Sequence, residues 1–232
     1  MQQTYFDIFS DTTKAMRVNI NPYVSRLAEN AKTSALPILH GPLLKEKKGL
    51  WHQHFQNNAP RKKILEIGSY MGQTLSLLAK SHPDIDFIGM DITFKRVIRT
   101  AERLCQENLS NAWVMLANAN FLDHFFDDNE LDAVIIFFPD PWTKKKSQTK
   151  HQLVKEDFCA KLHKIIKPGG LLWIKTDQES YLTKMEALLD RERFSQQKGT
   201  SSLYLTRHMT PFESLYARQN LATFEKVWTL DK

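Results

Sequence analysis

Residues 131–146 read LDAVIIFFPDPWTKKK, and the fold turns on this stretch. From Ala133 to Phe138 every side chain is apolar, with no polar alternation. That pattern predicts a central strand covered on both faces. Pro139 and Pro141 then force the chain out of the sheet, because proline has no backbone N–H to give a ladder. The turn they enclose holds one carboxylate, Asp140, with the indole of Trp142 directly behind. Lys144, Lys145, Lys146 and Lys150 follow. In open α/β sheets ligands bind at the carboxyl ends of the strands. An acid, an aromatic and a basic loop at that edge point to a ligand with a cationic part lying beside a polyanion. A plain proline-rich turn followed by solvated lysines is the alternative.

Working outward, the flanking segments alternate. KKILEIG is a strand ending at Gly68, and Gly72 precedes a helical stretch stopped by Pro83. The segment DFIGMD ends a second strand at Asp91. An amphipathic helix follows, with Phe94, Val97, Ile98, Ala101, Leu104 and Cys105 on one face and Lys95, Arg96, Arg99 and Arg103 on the other. AWVML forms a third strand running into Ala117-Asn118-Ala119, and the quoted stretch is the fourth. After a helix closed by Lys167-Pro168-Gly169-Gly170, LLWIKT delivers Asp177 to the end of a fifth strand. SSLYLT and ATFEKVWTL predict a closing hairpin. The class is therefore α/β, a doubly wound, mostly parallel sheet with an antiparallel edge hairpin. Residues 1–60 are expected to form a partly helical N-terminal extension, and 61–232 the main domain.

Composition sets outer limits. A chain of 232 residues with 42% hydrophobic and 25% charged content suits one large globular domain with a real core. A formal net charge of +6 favours an anionic partner. No long uncharged apolar segment is present, so neither a signal peptide nor a membrane span is expected, and a cytoplasmic location is. Cys105 and Cys159 are too few for a disulfide framework and read as small apolar helix residues. His52 and His54 lie two apart but lack the acid or cysteine that would complete a metal set, so no metal is expected.

The ligand can be narrowed from the first turn. A dinucleotide site wants G-x-G-x-x-G, whereas Gly68-Ser69-Tyr70-Met71-Gly72 lacks the middle glycine and no third one opens the helix. Tyr70 would obstruct the close backbone approach a pyrophosphate needs. S-adenosylmethionine has no pyrophosphate and carries a cationic sulfonium. Glu66 and Asp140 suit its amino-acid and sulfonium end, Asp91 its ribose hydroxyls, and Asn118 its adenine edge. Any one of these could instead be a helix cap or a turn residue.

In order and at matching spacing, LEIGSYMG, GMDI, ANA, FFPDPWTKKK, KPGGLLWIKTD and Thr210-Pro211-Phe212-Glu213 resemble the bacterial tRNA (guanine-N7)-methyltransferase family. The resemblance covers about residues 60–216, and PDPW with its following lysine is its most specific element. It implies a Rossmann-like class I methyltransferase that uses S-adenosylmethionine and acts on a guanine in the tRNA variable loop. It also implies cofactor contacts at Glu66, Gly68, Gly72, Asp91, Asn118 and Asp140. Substrate contacts are implied at Lys144, Asp177, Thr210 and Glu213, with Asp140 and Asp177 as the catalytic carboxylates. The chain departs from the family at Tyr70, where a glycine is usual, at Asn118, where an acid is usual, and in its basic loop. A small-molecule methyltransferase or a catalytically silent RNA-binding relative are the alternatives. Thr210-x-x-Glu213 also has the spacing of a helix capping box.

Overall fold

The computed structural model describes residues 22–55, 61–140, 153, 155–198 and 204–232. One eight-stranded sheet organises them, in the order β1-β4-β3-β2-β5-β6-β8-β7. Its strands are β1 (Ile38–Leu39), β2 (Lys62–Ile67), β3 (Ile85–Asp91), β4 (Ala112–Leu116), β5 (Leu131–Phe137), β6 (Ile166–Thr176), β7 (Phe194–Gln196) and β8 (Phe224–Leu230). Six strands run parallel, while β8 lies antiparallel between β6 and β7.

The order explains where a ligand can enter. From β2 the chain winds outward through β3 and β4, then returns to the other side of β2 as β5. The carboxyl ends of β2 and β5 thus flank the topological switch point, the crevice such sheets use for binding. β5 sits between β2 and β6, and its burial matches its uninterrupted apolar run.

Alternate side chains divide the core in two. Leu65, Ile67, Ile88, Val134, Ile136, Leu172 and Ile174 face one layer, formed by α3 (Trp51–His54), α6 (Leu122–Phe125), α7 (Glu156–Ile165) and α8 (Glu179–Leu189). Ile64, Phe87, Ile135, Phe137 and Trp173 face the other, which includes α4 (Gln73–Ser81) and Leu104 of α5 (Phe94–Gln106). A fully buried side chain of this kind contributes about 1.5–3 kcal/mol. The remaining helices are α1 (Pro22–Thr33), α2 (Pro42–Glu46) and α9 (Pro211–Arg218). Among the described residues, no helix is long and apolar enough to cross a membrane.

The geometry differs from the expectations in several places. Of the segment before residue 61, the described residues 22–55 join the sheet and core: β1 pairs with β4, and Trp51 is fully buried in the main core. The partner of β8 in the edge hairpin is β7, and residues 204–206 of the expected SSLYLT strand carry no strand. Residues 201–203 lie outside the described residues. Lys167–Gly170 ends a helix as expected but remains within β6 as a bulge, shifting register between Leu131↔Ile166 and Ala133↔Leu171. Cys105 is exposed, while Cys159 is buried.

Candidate functional site

An open-sided cleft of about 710 Å³ lies at the switch point. Gly68 enters it from β2, Asp91 and Ile92 from β3, Ala117–Asn120 from β4, and Pro139–Asp140 from β5. Next to it, a recess of about 300 Å³ is lined by Glu66, Ser69, Tyr70, Phe138, Thr210 and Phe212. Gly68 borders both. Its φ of 82° is left-handed, and a Cβ there would meet nothing within 4 Å, so the backbone is open to a bound molecule.

The carboxylates at this edge are not equivalent. Glu66, the last residue but one of β2, is 3% exposed, and its Oε2 has no hydrogen-bond partner. Burial, helped by the nearby charge of Asp91, pushes its pKa up to about 8. Asp91 Oδ1 accepts from the Thr93 amide at 2.8 Å, and Oδ2 lies 3.6 Å from Arg96 without a hydrogen bond. Burial holds its pKa above the usual value, against the pull of the Thr93 amide and Arg96. Two adjacent buried carboxyl groups thus each keep an unpartnered oxygen, which is costly unless a ligand satisfies it. Asn118 caps a short 3₁₀ turn, its Oδ1 accepting from the Asn120 amide at 2.9 Å, and remains on the cleft wall. Asp140 is exposed at the mouth.

Asp177, half-buried after β6, lies within hydrogen-bonding reach of the Tyr216 hydroxyl. Burial, then the charge of Asp177 and its hydrogen-bonding contact, with a smaller effect of Asp140, raise the Tyr216 pKa. Asp140 and Asp177 therefore come together around one phenol.

Other expected site residues have different surroundings. Gly72 lines neither cavity. Its φ is 74°, and a Cβ there would come within 2.7 Å of Thr100 Cγ2, so it serves the close approach of α4 to α5. Thr210 and Glu213 form a capping box at the start of α9. Glu213 Oε2 accepts from Thr210 N at 2.8 Å and Lys175 Nζ at 3.0 Å; Oε1 accepts from Lys175 at 3.1 Å and Arg207 at 3.0 Å. Burial raises the Glu213 pKa, but the Thr210 amide and Lys175 outweigh it and leave the pKa below the ordinary value. The substrate contact implied at Glu213 falls on a carboxylate that already accepts four hydrogen bonds from three donors, Thr210, Lys175 and Arg207. Lys144 and its neighbouring lysines lie outside the described residues.

Sequence reasoning missed three contributors. Arg96 lines the cleft, although it was grouped with a solvated helix face. Tyr70, at φ 50° where a glycine would sit easily, turns its ring between Arg96, 5.0 Å away, and Phe212, at 5.5 Å. Tyr216 lies one helical turn beyond Phe212, a spacing that could have flagged a shared face.

A methyltransferase family model, described as "Putative methyltransferase", matches residues 60–226. The tRNA (guanine-N(7)-)-methyltransferase of Nitrosomonas europaea is 36% identical over 174 residues, covering 74% of this chain and 76% of the relative. That of Geobacillus thermodenitrificans is 33% identical over 150 residues, covering 65% and 68%. Among solved structures, the 16S rRNA (adenine(1408)-N(1))-methyltransferase from Catenulisporales acidiphilia with cosubstrate SAM aligns at a TM-score of 0.55. It is 15% identical, with 78% of this chain and 90% of that one covered, a likeness of fold alone. Fold and cleft define a Rossmann-like class I methyltransferase that uses S-adenosylmethionine. The chain belongs to the tRNA (guanine-N(7)-)-methyltransferase family.

Proposed function

We propose that this chain transfers a methyl group from S-adenosylmethionine to N7 of a guanine in the tRNA variable loop, in the cytoplasm. The observation that carries the reading is the pair of buried carboxyl groups, Asp91 on the cleft and Glu66 on the recess beside it, each with an oxygen that has no hydrogen-bond partner, with Asp140 at the cleft mouth. This donor set fits S-adenosylmethionine. Glu66 would take the ammonium, Asp91 the ribose hydroxyls and Asn118 the adenine edge, while Gly68 leaves room for the chain between them. When bound, the cofactor supplies an electrophilic methyl group.

The residues have modest chemical work to do. Guanine N7 carries a lone pair in the neutral base, so no side chain must remove a proton to create the nucleophile. Methylation leaves the base cationic, and Asp140 and Asp177 put negative charge where that cation develops. The rest is alignment. Lys144 is assigned to the RNA backbone. Thr210 is assigned a supporting role through the capping box that fixes α9. Transfer of tritiated methyl groups to unmodified tRNA, with the modified base identified afterwards, tests the reading. Label in 7-methylguanine at the variable loop is expected; no incorporation, or label elsewhere, would overturn it.

A further inference from the structure

The recess beside the cleft continues into a row of rings. Phe138 lies 5.6 Å from Phe212 and 5.5 Å from Tyr216, each at an interplanar angle of 33°. Phe212 meets Tyr70 at 5.5 Å, and Tyr70 lies under Arg96 at 5.0 Å. Phe212 and Tyr216 stand at i and i+4 of α9, on one face. Phe138 holds its place through a left-handed backbone, φ 50°, a strained conformation for a residue with a side chain. Its amide donates to Lys175 O at 2.7 Å. All three rings are half-buried, so each keeps an accessible part. The row runs from the cofactor cleft to Asp177, beside Asp140.

We propose that Tyr216, Phe138 and Phe212 form the platform on which an unpaired purine of the RNA stacks, while the Tyr216 hydroxyl fixes Asp177 at the edge of that base. The inference rests on the function proposed above and says how its substrate is received. A purine fits for two reasons: every base has a face that stacks on aromatic side chains, and the acceptors at the end of the row suit a base that gains positive charge. Tyr216 is a positioning residue for Asp177. An ionised carboxylate has about four lone-pair sites, so Asp177 can take the phenol and base donors together.

The test uses the full chain saturated with S-adenosylhomocysteine and a single-stranded RNA carrying 2-aminopurine, whose fluorescence falls on stacking. Wild type is expected to quench the probe. Tyr216→Leu should lose the quench and bind the RNA about tenfold more weakly, with unchanged affinity for S-adenosylhomocysteine. Tyr216→Trp should keep both. Tyr216→Phe should keep the quench and KM for tRNA but lower kcat, since only Asp177 is released. Wild-type quenching and affinity in Tyr216→Leu, or loss of quench in Tyr216→Trp, would overturn the platform. Wild-type kcat in Tyr216→Phe would overturn the positioning role. If wild type transfers no methyl to tRNA yet quenches through Tyr216, the platform stands and the proposed reaction falls.

Discussion

Glu66 is buried deeply enough that its protonation becomes part of ligand binding. With a pKa of about 8 in the folded chain it is largely neutral at pH 7, whereas the unfolded chain releases that proton in the ordinary carboxylate range. A raised folded pKa means that this contribution to stability is complete below the unfolded pKa and is lost as pH rises through 8. Binding an ammonium as the carboxylate must expel the proton. We therefore predict that affinity for S-adenosylmethionine, followed by calorimetry, rises with pH between 6 and 8, by up to about tenfold per unit. Glu66→Gln should flatten that dependence and bind more weakly throughout. A wild-type affinity independent of pH would show that Glu66 keeps its proton in the complex. Asp91 and Asn118, which line the cleft, stand out in the sequence because each is a polar group at a strand end after an apolar run. Arg96 does not, since hydrophobic periodicity reports the buried face of a helix and is silent about what the other face reaches.

At the scale of elements, two contacts hold the site's frame. The first is the crossing of α4 and α5 at Gly72. Gly72→Ala adds both a left-handed strain and a methyl 2.7 Å from Thr100, so a loss of about 2–4 kcal/mol is expected. For a chain of this length that lowers Tm by about 4–16 °C; an unchanged Tm would show that α5 can retreat at no cost. The second is the seat of α9. Lys175, 1% exposed, lies between Glu213 at 3.0 Å and Glu225 at 3.9 Å. Glu213→Gln turns an acceptor into a donor facing that ammonium and should cost about 3 kcal/mol, seen as a lower Tm. The depressed Glu213 pKa gives the opposite pH sign to Glu66: its contribution is present above the ordinary carboxylate range and lost as pH falls through the folded value. A variant with wild-type Tm but no methyl transfer would return Glu213 to the base. The spacing Thr210-x-x-Glu213 allowed either role, and the deciding partners, Lys175 and Arg207, are remote or unpatterned in sequence.

For the whole molecule, a net charge of +6 and the lysines after Pro141 bear on RNA affinity. If they meet phosphates, log affinity for tRNA falls with log salt by about 0.7 per phosphate neutralised on single-stranded regions. Replacing Lys145 and Lys146 with serine should flatten the slope by roughly one to two units and leave cofactor affinity unchanged. An unaltered slope would mean these lysines are only solvated. The parallel centre of the sheet was legible because β5 carries the unbroken apolar run that starts at Ala133 and β3 the shorter Phe87–Met90, and their order followed from alternation with helices. Its edges were not. β1 has two residues and β7 three, too short to show any period, whereas the Leu-Tyr-Leu run of SSLYLT has the composition of a strand.

The position of β8 has a consequence for the order in which the molecule is made. It comes last among the strands yet lies inside the sheet, with Trp228 fully buried against the core and β7 attached only through it. Its Glu225 accepts from Trp173 at 2.7 Å and from Arg207 at 2.9 Å, completing the polar seat under α9. During synthesis β6 therefore waits with one edge open until residues 224–230 leave the ribosome. The cofactor cleft, built from β2 to β5, can form before then, but the aromatic row on α9 cannot be seated. A nascent chain would acquire its cofactor site first and the proposed stacking row only once β8 has joined the sheet.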